Sequence, residues 1–375
     1  MKFLIITQLV HLKEKESYFT YEPYVREMNI WFKYVDKVII LAPLENKTPS
    51  VIDDCYKHPI IDCRAVPSFS CINIKNAILA VFRIPFIMFK MAKAMRQADH
   101  IHLRCPGNMG LLACFLQILF PSKPKTAKYA GNWDPKAKQP WSYRLQKWLL
   151  ANTFLTRNMK VLVYGEWSNQ SVNVKPFFTA SYSEKEIVVK AKKIQANETI
   201  RLLFVGSLVE GKNPLYVIQL LEQLRAKQIN AMLDIYGEGV LRSSLELYIV
   251  ENQLQEYVIL HGNQNQVVLK KAYQESHFVI LASKSEGWPK AIAEAMFWGC
   301  VPIATSVSCI PFMLDDGNRG IILQKKLEKD VEVVLRLINN TADYENKSKA
   351  SRNWSQKYNL ELFERKLRKI LNYEA

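Results

Sequence analysis

Ser283-Lys284-Ser285-Glu286-Gly287-Trp288-Pro289-Lys290-Ala291-Ile292-Ala293-Glu294-Ala295-Met296 reads as a loop running into a helix start. The apolar run Phe278–Leu281 just before it reads as a strand. Gly287 allows close backbone approach, and Pro289 suits a first helical turn because that turn does not use its missing N–H. The backbone N–H groups of Trp288, Lys290 and Ala291 then point into a crevice at a strand's C-terminal end, where open α/β sheets bind ligands. Such a helix start attracts phosphate through free donors and a dipole worth roughly 0.3–1 kcal/mol, up to about 2 when sheltered. Glu286 in the loop and Glu294 just over one turn into the helix can both reach one ligand. A carboxylate accepts two hydroxyl hydrogen bonds from a sugar or ribose diol, each contributing on the order of 1.5–3 kcal/mol.

Outward from this segment, strands and helices alternate along the whole chain. Arg201–Val205, Met232–Tyr236, Val258–Leu260, Val279–Leu281 and Val301–Ala304 read as strands separated by helices such as 214–227 and 240–251. In the first half, Lys2–Thr7, Val38–Leu41 and Ile101–Leu103 read as strands, with helices near 23–34, 75–96 and 110–120. This alternation predicts an α/β protein with parallel sheets covered on both faces. A polar, Lys/Glu-rich stretch from Ser181 to Glu198 interrupts it. The expected organisation is a Rossmann-like domain over 1–185, a linker over 186–198 and a second Rossmann-like domain over 199–355. A helix within 356–375 is expected to dock on the first domain. The 375-residue length accommodates two domains.

The net charge of +16 is unevenly spread. Residues 1–195 hold 29 Lys and Arg against 14 Asp and Glu, whereas residues 196–375 hold 22 against 21. The basic half predicts a polyanionic partner: an anionic membrane surface, a phosphorylated acceptor or nucleic acid. Seven cysteines without a C-x-x-C pair point to reduced thiols and a cytoplasmic setting. The N-terminal apolar run reads as a first strand rather than a signal peptide, and the longest apolar stretches are too short to span a bilayer. The expected location is cytoplasmic, peripheral on the inner face of the cell membrane.

The S-x-x-E-G-W-P-x-x-x-x-E-A-M segment, followed by Trp298-Gly299-Cys300-Val301-Pro302-Ile303, resembles the donor-site signature of glycosyltransferase family four. These are retaining enzymes of the two-domain B fold, in which the two Rossmann-like sheets face each other across a cleft. The resemblance implies that Glu286 contacts the donor sugar and Glu294 holds the ribose. It extends to Phe204-Val205-Gly206-Ser207-Leu208-Val209-Glu210-Gly211-Lys212-Asn213-Pro214, where Gly206 lets the cleft close and Lys212 meets the donor diphosphate. The family often has Arg where this chain has Ser207, so one expected phosphate contact is missing or supplied elsewhere. Gly237 and Glu238 in Asp234-Ile235-Tyr236-Gly237-Glu238-Gly239, and the Leu260-His261-Gly262 turn, resemble loops around the nucleotide base. Gly287, Trp288 and Lys290 complete the donor set that the resemblance implies.

In the first domain, Asp99-His100-Ile101-His102-Leu103-Arg104-Cys105-Pro106-Gly107-Asn108 resembles the strand and loop facing the donor. Relatives place a His where Arg104 falls, so Arg104 and His102 both stand as candidates at the reacting centre. Arg104 suits a bidentate phosphate clamp but not a general base. The usual glycine-rich turn after the first strand is replaced by Thr7-Gln8-Leu9-Val10-His11. Asn132, Trp133 and Arg26 sit in polar-aromatic clusters that suit an acceptor cleft; packing of Trp31 and Trp133 in the core is the competing reading.

The implied activity is transfer of a hexose-type sugar from a UDP- or GDP-sugar to a saccharide acceptor, lipid-linked in surface polysaccharide synthesis. No cofactor is expected. No D-x-D pair stands near a strand end, so no metal is expected at the diphosphate; Lys212, the helix start and Arg104 would stabilise the leaving group. Helix 75–96, with Phe82, Phe86, Phe89, Lys90, Lys93 and Arg96, is the expected membrane contact. Two rival classes stand. A nucleotide-sugar epimerase shares the fold but gives no reason for the basic half. A nucleic-acid-binding protein explains the charge but leaves Glu286 and Glu294 without a task.

Overall fold

The computed structural model describes residues 1–69, 74–187, 189 and 192–372. The chain divides into two compact units, one of Met1–Thr179 with Phe363–Ala375 and one of Ala180–Leu362.

The second unit is a six-stranded, all-parallel sheet. Its strands run in the order Val258–Gly262, Ala231–Tyr236, Ile200–Val205, Phe278–Leu281, Val301–Thr305 and Ile321–Leu323. Parallel strands covered by helices on both faces become continuous apolar runs. Phe278, Val279, Ile280 and Leu281 are accordingly all buried, as is every residue of Val301–Thr305. Numbered along the chain, the strand order is third, second, first, fourth, fifth, sixth. The order reverses between Ile200–Val205 and Phe278–Leu281, the place in an open parallel sheet where ligands generally bind.

The first unit repeats the plan with seven parallel strands. They run Val174–Phe177, Met159–Tyr164, Lys125–Tyr129, His100–Cys105, Lys2–Ile6, Lys37–Ala42 and Ile61–Ala65. One face carries Leu4, Ile6, Ile101, Leu103 and Ala127 into a core shared with helices Ile74–Gln97, Asn108–Leu116 and Trp141–Ala151. The alternation of side chains along a strand puts Phe3, His102, Arg104 and Lys128 on the opposite face. Beside the main sheet lies a four-stranded one of Leu44–Glu45, His11–Glu14, Ser17–Tyr21 and Asp53–Cys55, which the sequence patterning did not predict.

The C-terminal helix Leu360–Leu371 carries Phe363 onto Phe177 and Phe178, with ring centroids 5.2 and 5.9 Å apart. Glu364 of the same helix pairs with Lys33 at 2.9 Å and accepts from the Tyr34 hydroxyl at 2.6 Å. The six described cysteines are free, and Cys71 lies outside the described residues. No helix among the described residues is long and apolar enough to cross a membrane.

Candidate active site

The loops at the second unit's reversal point are fastened to one another by main-chain hydrogen bonds. Gly206 N donates to Tyr236 O at 2.9 Å, Leu208 N to Glu238 O at 2.9 Å, and Gly237 N to Gly262 O at 2.8 Å. Gly237 sits at φ 138°, and a Cβ there would stand 2.0 Å from Gly206 O, so only glycine permits this approach. Across the reversal point, Lys284 N donates to Gly211 O at 2.8 Å, tying the loop after Phe278–Leu281 to the loop after Ile200–Val205. The Thr305 hydroxyl holds Ser283 O at 2.6 Å and the Ser308 hydroxyl holds Gly287 O at 3.1 Å.

This scaffold brings Lys212 and Glu286 together, with Nζ 2.5 Å from Oε1. Glu286 is 8% exposed, while about a third of the Lys212 side chain meets solvent. Helix Lys290–Phe297 begins beside them, with Pro289 at its cap position and no side chain capping it. A concentrated cation and a helix start are therefore gathered at one strand edge, the arrangement a diphosphate requires.

Glu294 belongs to a neighbouring cluster. Its Oε1 accepts from the Ser181 hydroxyl at 2.5 Å and its Oε2 from the Tyr273 hydroxyl at 3.0 Å. Tyr273 is fully buried; burial first, and then the Glu294 charge, push its pKa well above the ordinary tyrosine value, so it stays a donor. Gln266 Nε2 donates to Ser181 O at 3.0 Å, fixing the Ser181 backbone at the start of helix Gln266–Glu275. Nothing in the sequence marked Tyr273 or Ser181, because their relation to Glu294 arises only when distant segments pack.

The remaining donor-side residues divide. Ser207 is exposed on the loop after Ile200–Val205, and Lys290 opens its helix. Glu238 is engaged by Arg242 at 2.5 Å, one turn further on. Trp288 is 7% exposed, its ring stacked on Trp354 and tilted against Tyr358. The expected donor contact of Trp288 therefore narrows to its main chain. At the base-side loops, the His261 ring lies flat on Tyr236, centroids 4.3 Å apart, and Nε2 meets Asp234 at 2.6 Å.

In the first unit the sequence left Arg104 and His102 in competition, and the structure gives them different surroundings. His102 is 1% exposed, packs on Trp31 and Phe3, and bonds the Thr126 hydroxyl at 2.9 Å. Burial, with His100, Arg104 and Lys128 nearby, drives its pKa well below the ordinary imidazole value, so it is a neutral core residue. Arg104 is half-buried, its guanidinium 5.3 Å over the Tyr24 ring. Burial opposes its charge, but Tyr164, Glu27 and Tyr24 more than offset this and hold it protonated. Its Nη1 has no hydrogen-bond partner among the described residues.

The acceptor-side candidates are structurally engaged. Trp133 is buried edge-on to Tyr129 and donates to Gln170 at 2.8 Å. Asn132 accepts from Asp134 N at 2.9 Å, and Arg26 pairs with Glu22 at 2.5 Å. The missing glycine turn after Lys2–Ile6 has a physical substitute: Gln8 Oε1 accepts from Asn108 N at 3.1 Å. The amide of Gln8 fills the space beside Gly107, where a Cβ would stand 1.9 Å from Oε1. The side chain thus joins the two loops at the first sheet's own reversal point.

Comparison with known proteins fits this construction. Residues 186–354 match the model of the glycosyl transferases group 1 family. A Campylobacter jejuni protein, N-acetylgalactosamine-N,N'-diacetylbacillosaminyl-diphospho-undecaprenol 4-alpha-N-acetylgalactosaminyltransferase, is 33% identical over 288 residues, covering 71% of this chain and 72% of its own. The chain is a group 1 glycosyltransferase.

An uncharacterised glycosyltransferase of Methanocaldococcus jannaschii is 27% identical over 169 residues, 45% of this chain, and the match spans 46% of that relative. Among solved structures, Anabaena HepE in complex with UDP and glucose superposes over 100% of both chains, with TM-score 0.71 and 13% identity. At that identity the likeness speaks for the fold, the two-domain glycosyltransferase B fold. The glycosyltransferase therefore has the architecture its sequence predicted.

Proposed function

We propose that this glycosyltransferase transfers a hexose-type sugar from a nucleoside diphosphate donor to a lipid-linked saccharide, with retention of anomeric configuration. The observation that carries this reading is the Lys212–Glu286 pair at the sheet's reversal point, beside the uncapped start of Lys290–Phe297. In this reading Lys212 and the backbone N–H groups of Trp288, Lys290 and Ala291 take the diphosphate, and Glu286 accepts hydroxyl hydrogen bonds from the sugar. Glu294 accepts the ribose diol, while Gly206, Ser207, Gly237 and Glu238 shape the wall around the nucleotide. Lys212 and the amides meet the charge that develops on the departing phosphate, so the reading requires no metal. A phosphate oxygen leaving on the attacked face can take the acceptor proton, which requires no protein nucleophile.

In the first unit, Arg104, charged and with an unpartnered Nη1, is the candidate for a phosphate clamp. The donor is a UDP- or GDP-sugar, supported by the UDP bound in HepE. A second relative, the Xanthomonas oryzae GDP-mannose:cellobiosyl-diphosphopolyprenol alpha-mannosyltransferase, joins the Campylobacter protein in naming a lipid diphosphate acceptor. In this reading the enzyme works at the cytoplasmic membrane face in surface polysaccharide synthesis, with helix Ile74–Gln97 against the anionic leaflet.

The test is transfer from labelled UDP- and GDP-hexoses to saccharide diphosphate lipids, with the anomeric configuration of the product read by NMR. A retained α-linked product from an α-linked donor is expected. An inverted product overturns the mechanism; epimerised nucleotide sugar formed without acceptor overturns the transfer reading.

A further inference from the structure

We propose that three helices of the first unit, not one, form a continuous docking face for an anionic lipid bilayer. In this face Trp141, Trp148 and Phe154 enter the interface alongside Phe82, Phe86 and Phe89. The inference rests on the membrane reading above, which concerned helix Ile74–Gln97 alone, and extends it to helix Trp141–Ala151 and the turn after it.

The three helices lie on one side of the sheet. Ile87 and Met91 of Ile74–Gln97, Ala113 and Cys114 of Asn108–Leu116, and Leu149 and Leu150 of Trp141–Ala151 enter the same core against Leu4, Ile101 and Ala127. Residues spaced away from these core positions must therefore face outward together. Phe82, Phe86 and Phe89, spaced four and three apart, form one outward stripe, with Phe82 77% and Phe89 70% exposed. Trp141 and Trp148, seven apart, form a second, 68% and 58% exposed, and Phe154 follows at 71%. Helix Asn108–Leu116, which packs on both and exposes Phe115, joins the two stripes, and large aromatics turned to water across one layer mark a contact surface rather than scattered exposure.

Charge identifies the occupant. Residues 66–160, which build this layer and the strands beneath it, hold 15 Lys and Arg against two acids, Asp99 and Asp134; of these cations Arg104 and Lys128 lie on the sheet's other face and Lys125 is buried. That is a net +13 within a chain of +16. Arg83, Lys93 and Arg96 stand exposed on the first helix, and Arg157 lies 4.8 Å over the Phe154 ring. Aromatic side chains backed by cations, with almost no acids among them, suit the headgroup zone of an anionic leaflet, where Trp is favoured and phosphates meet the basic groups.

The test measures cosedimentation of the full chain with vesicles of mixed phosphatidylglycerol and phosphatidylcholine, against vesicles of phosphatidylcholine alone. The wild type is compared with Phe82→Ser/Phe86→Ser/Phe89→Ser and with Trp141→Ser/Trp148→Ser/Phe154→Ser. All six side chains are exposed, and an unchanged thermal unfolding midpoint verifies the fold of each variant. Expected is anionic-vesicle binding at least about tenfold tighter than neutral binding, weakened at least about tenfold by either triple substitution. If only the phenylalanine variant loses binding, the extended face is refuted and the single-helix reading stands. If both variants bind like wild type, both readings fall. Tighter binding to single-stranded RNA than to anionic vesicles at the same salt overturns the face in favour of a nucleic-acid surface.

Discussion

Lys212 Nζ stands 2.5 Å from Glu286 Oε1, joining the two loops that leave the sheet where its strand order reverses. Glu286 is nearly buried, and Lys212 is the cation beside it. A bound diphosphate offers Lys212 a competing anion, and Glu286 is then available to sugar hydroxyls. In the proposed mechanism, removal of Lys212 takes away charge that the transition state develops. Lys212→Ala is expected to lower kcat by roughly 10²–10³. Glu286→Gln retains shape but loses the carboxylate, and a comparable fall is expected. Because the two side chains act as a unit, the double substitution should cost little more than either alone. Steady-state rates for the three variants check this; fully additive losses would separate the roles.

Glu294 raises a different expectation, because both its oxygens are already held by protein donors. Glu294→Ala removes the acceptor itself and is expected to abolish the thermal shift given by the best nucleotide ligand. Tyr273→Phe removes only the hydroxyl that aims Oε2. A hydrogen bond to a charged group is worth about 1.5–3 kcal/mol, so the donor KM should rise by about one to two orders of magnitude with kcat little changed. The split between KM and kcat, read from donor titrations, distinguishes aiming of Glu294 from a general loss of packing. An unchanged donor KM in Tyr273→Phe removes the positioning role.

The two loop segments that meet at the sheet's reversal point were legible because each, 206–214 and 283–296, is a short run with distinctive punctuation. Phe278–Leu281 reads as a strand since four consecutive buried apolar residues are what a doubly covered parallel strand needs. Lys125–Tyr129 escaped the same reading, because KTAKY is central in its sheet and yet carries two lysines. Lys125 reaches the Phe120 carbonyl at 2.6 Å, and Lys128 finds Glu27 across 101 residues; no local pattern announces such partners. The side sheet was missed for a related reason: HLKE and SYFTY are short and largely polar, and their pairing is set by tertiary contact.

Buried histidines give the first unit a defined acid response. His11 and His100 are each pushed down to about 4, chiefly by burial, and burial also holds His102 well below the ordinary imidazole value. An unfolded histidine titrates near 6.5, so below that pH the unfolded chain binds more protons than the folded one. The stability these neutral rings contribute is complete above pH 6.5 and is lost as pH falls from there through about 4. Urea midpoints measured across this window should fall with pH. His100→Asn should flatten the slope, whatever its effect on stability at pH 7. A slope unaltered by that substitution would mean that His100 is protonated in the folded chain.

The buried pair of Lys128 and Glu27 yields the last prediction. Lys128 is 1% exposed and lies 5.3–5.4 Å from the rings of Tyr164, Phe177 and Phe363, so Glu27 is its one nearby carboxylate partner among the described residues. Burial lowers its pKa to about 8, and Glu27 recovers only part of the loss. The cost of the buried ammonium is therefore fully present below about pH 8 and is relieved as pH rises toward the unfolded value near 10.5. Lys128→Met alone removes the ammonium paired with Glu27, leaves that carboxylate to Arg104 and the Thr179 hydroxyl, and should cost on the order of 3 kcal/mol at pH 7. Lys128→Met with Glu27→Leu removes both charges and should recover most of that loss, since well-packed apolar replacements of buried pairs are often neutral or stabilising. The double variant should also lose the gain in stability between pH 8 and 10 that the lysine gives the wild type. Chemical denaturation of the four proteins of this cycle at pH 7 and pH 9 measures both effects; a double variant no more stable than Lys128→Met would show that the pair is held for its hydrogen bonds rather than for charge balance.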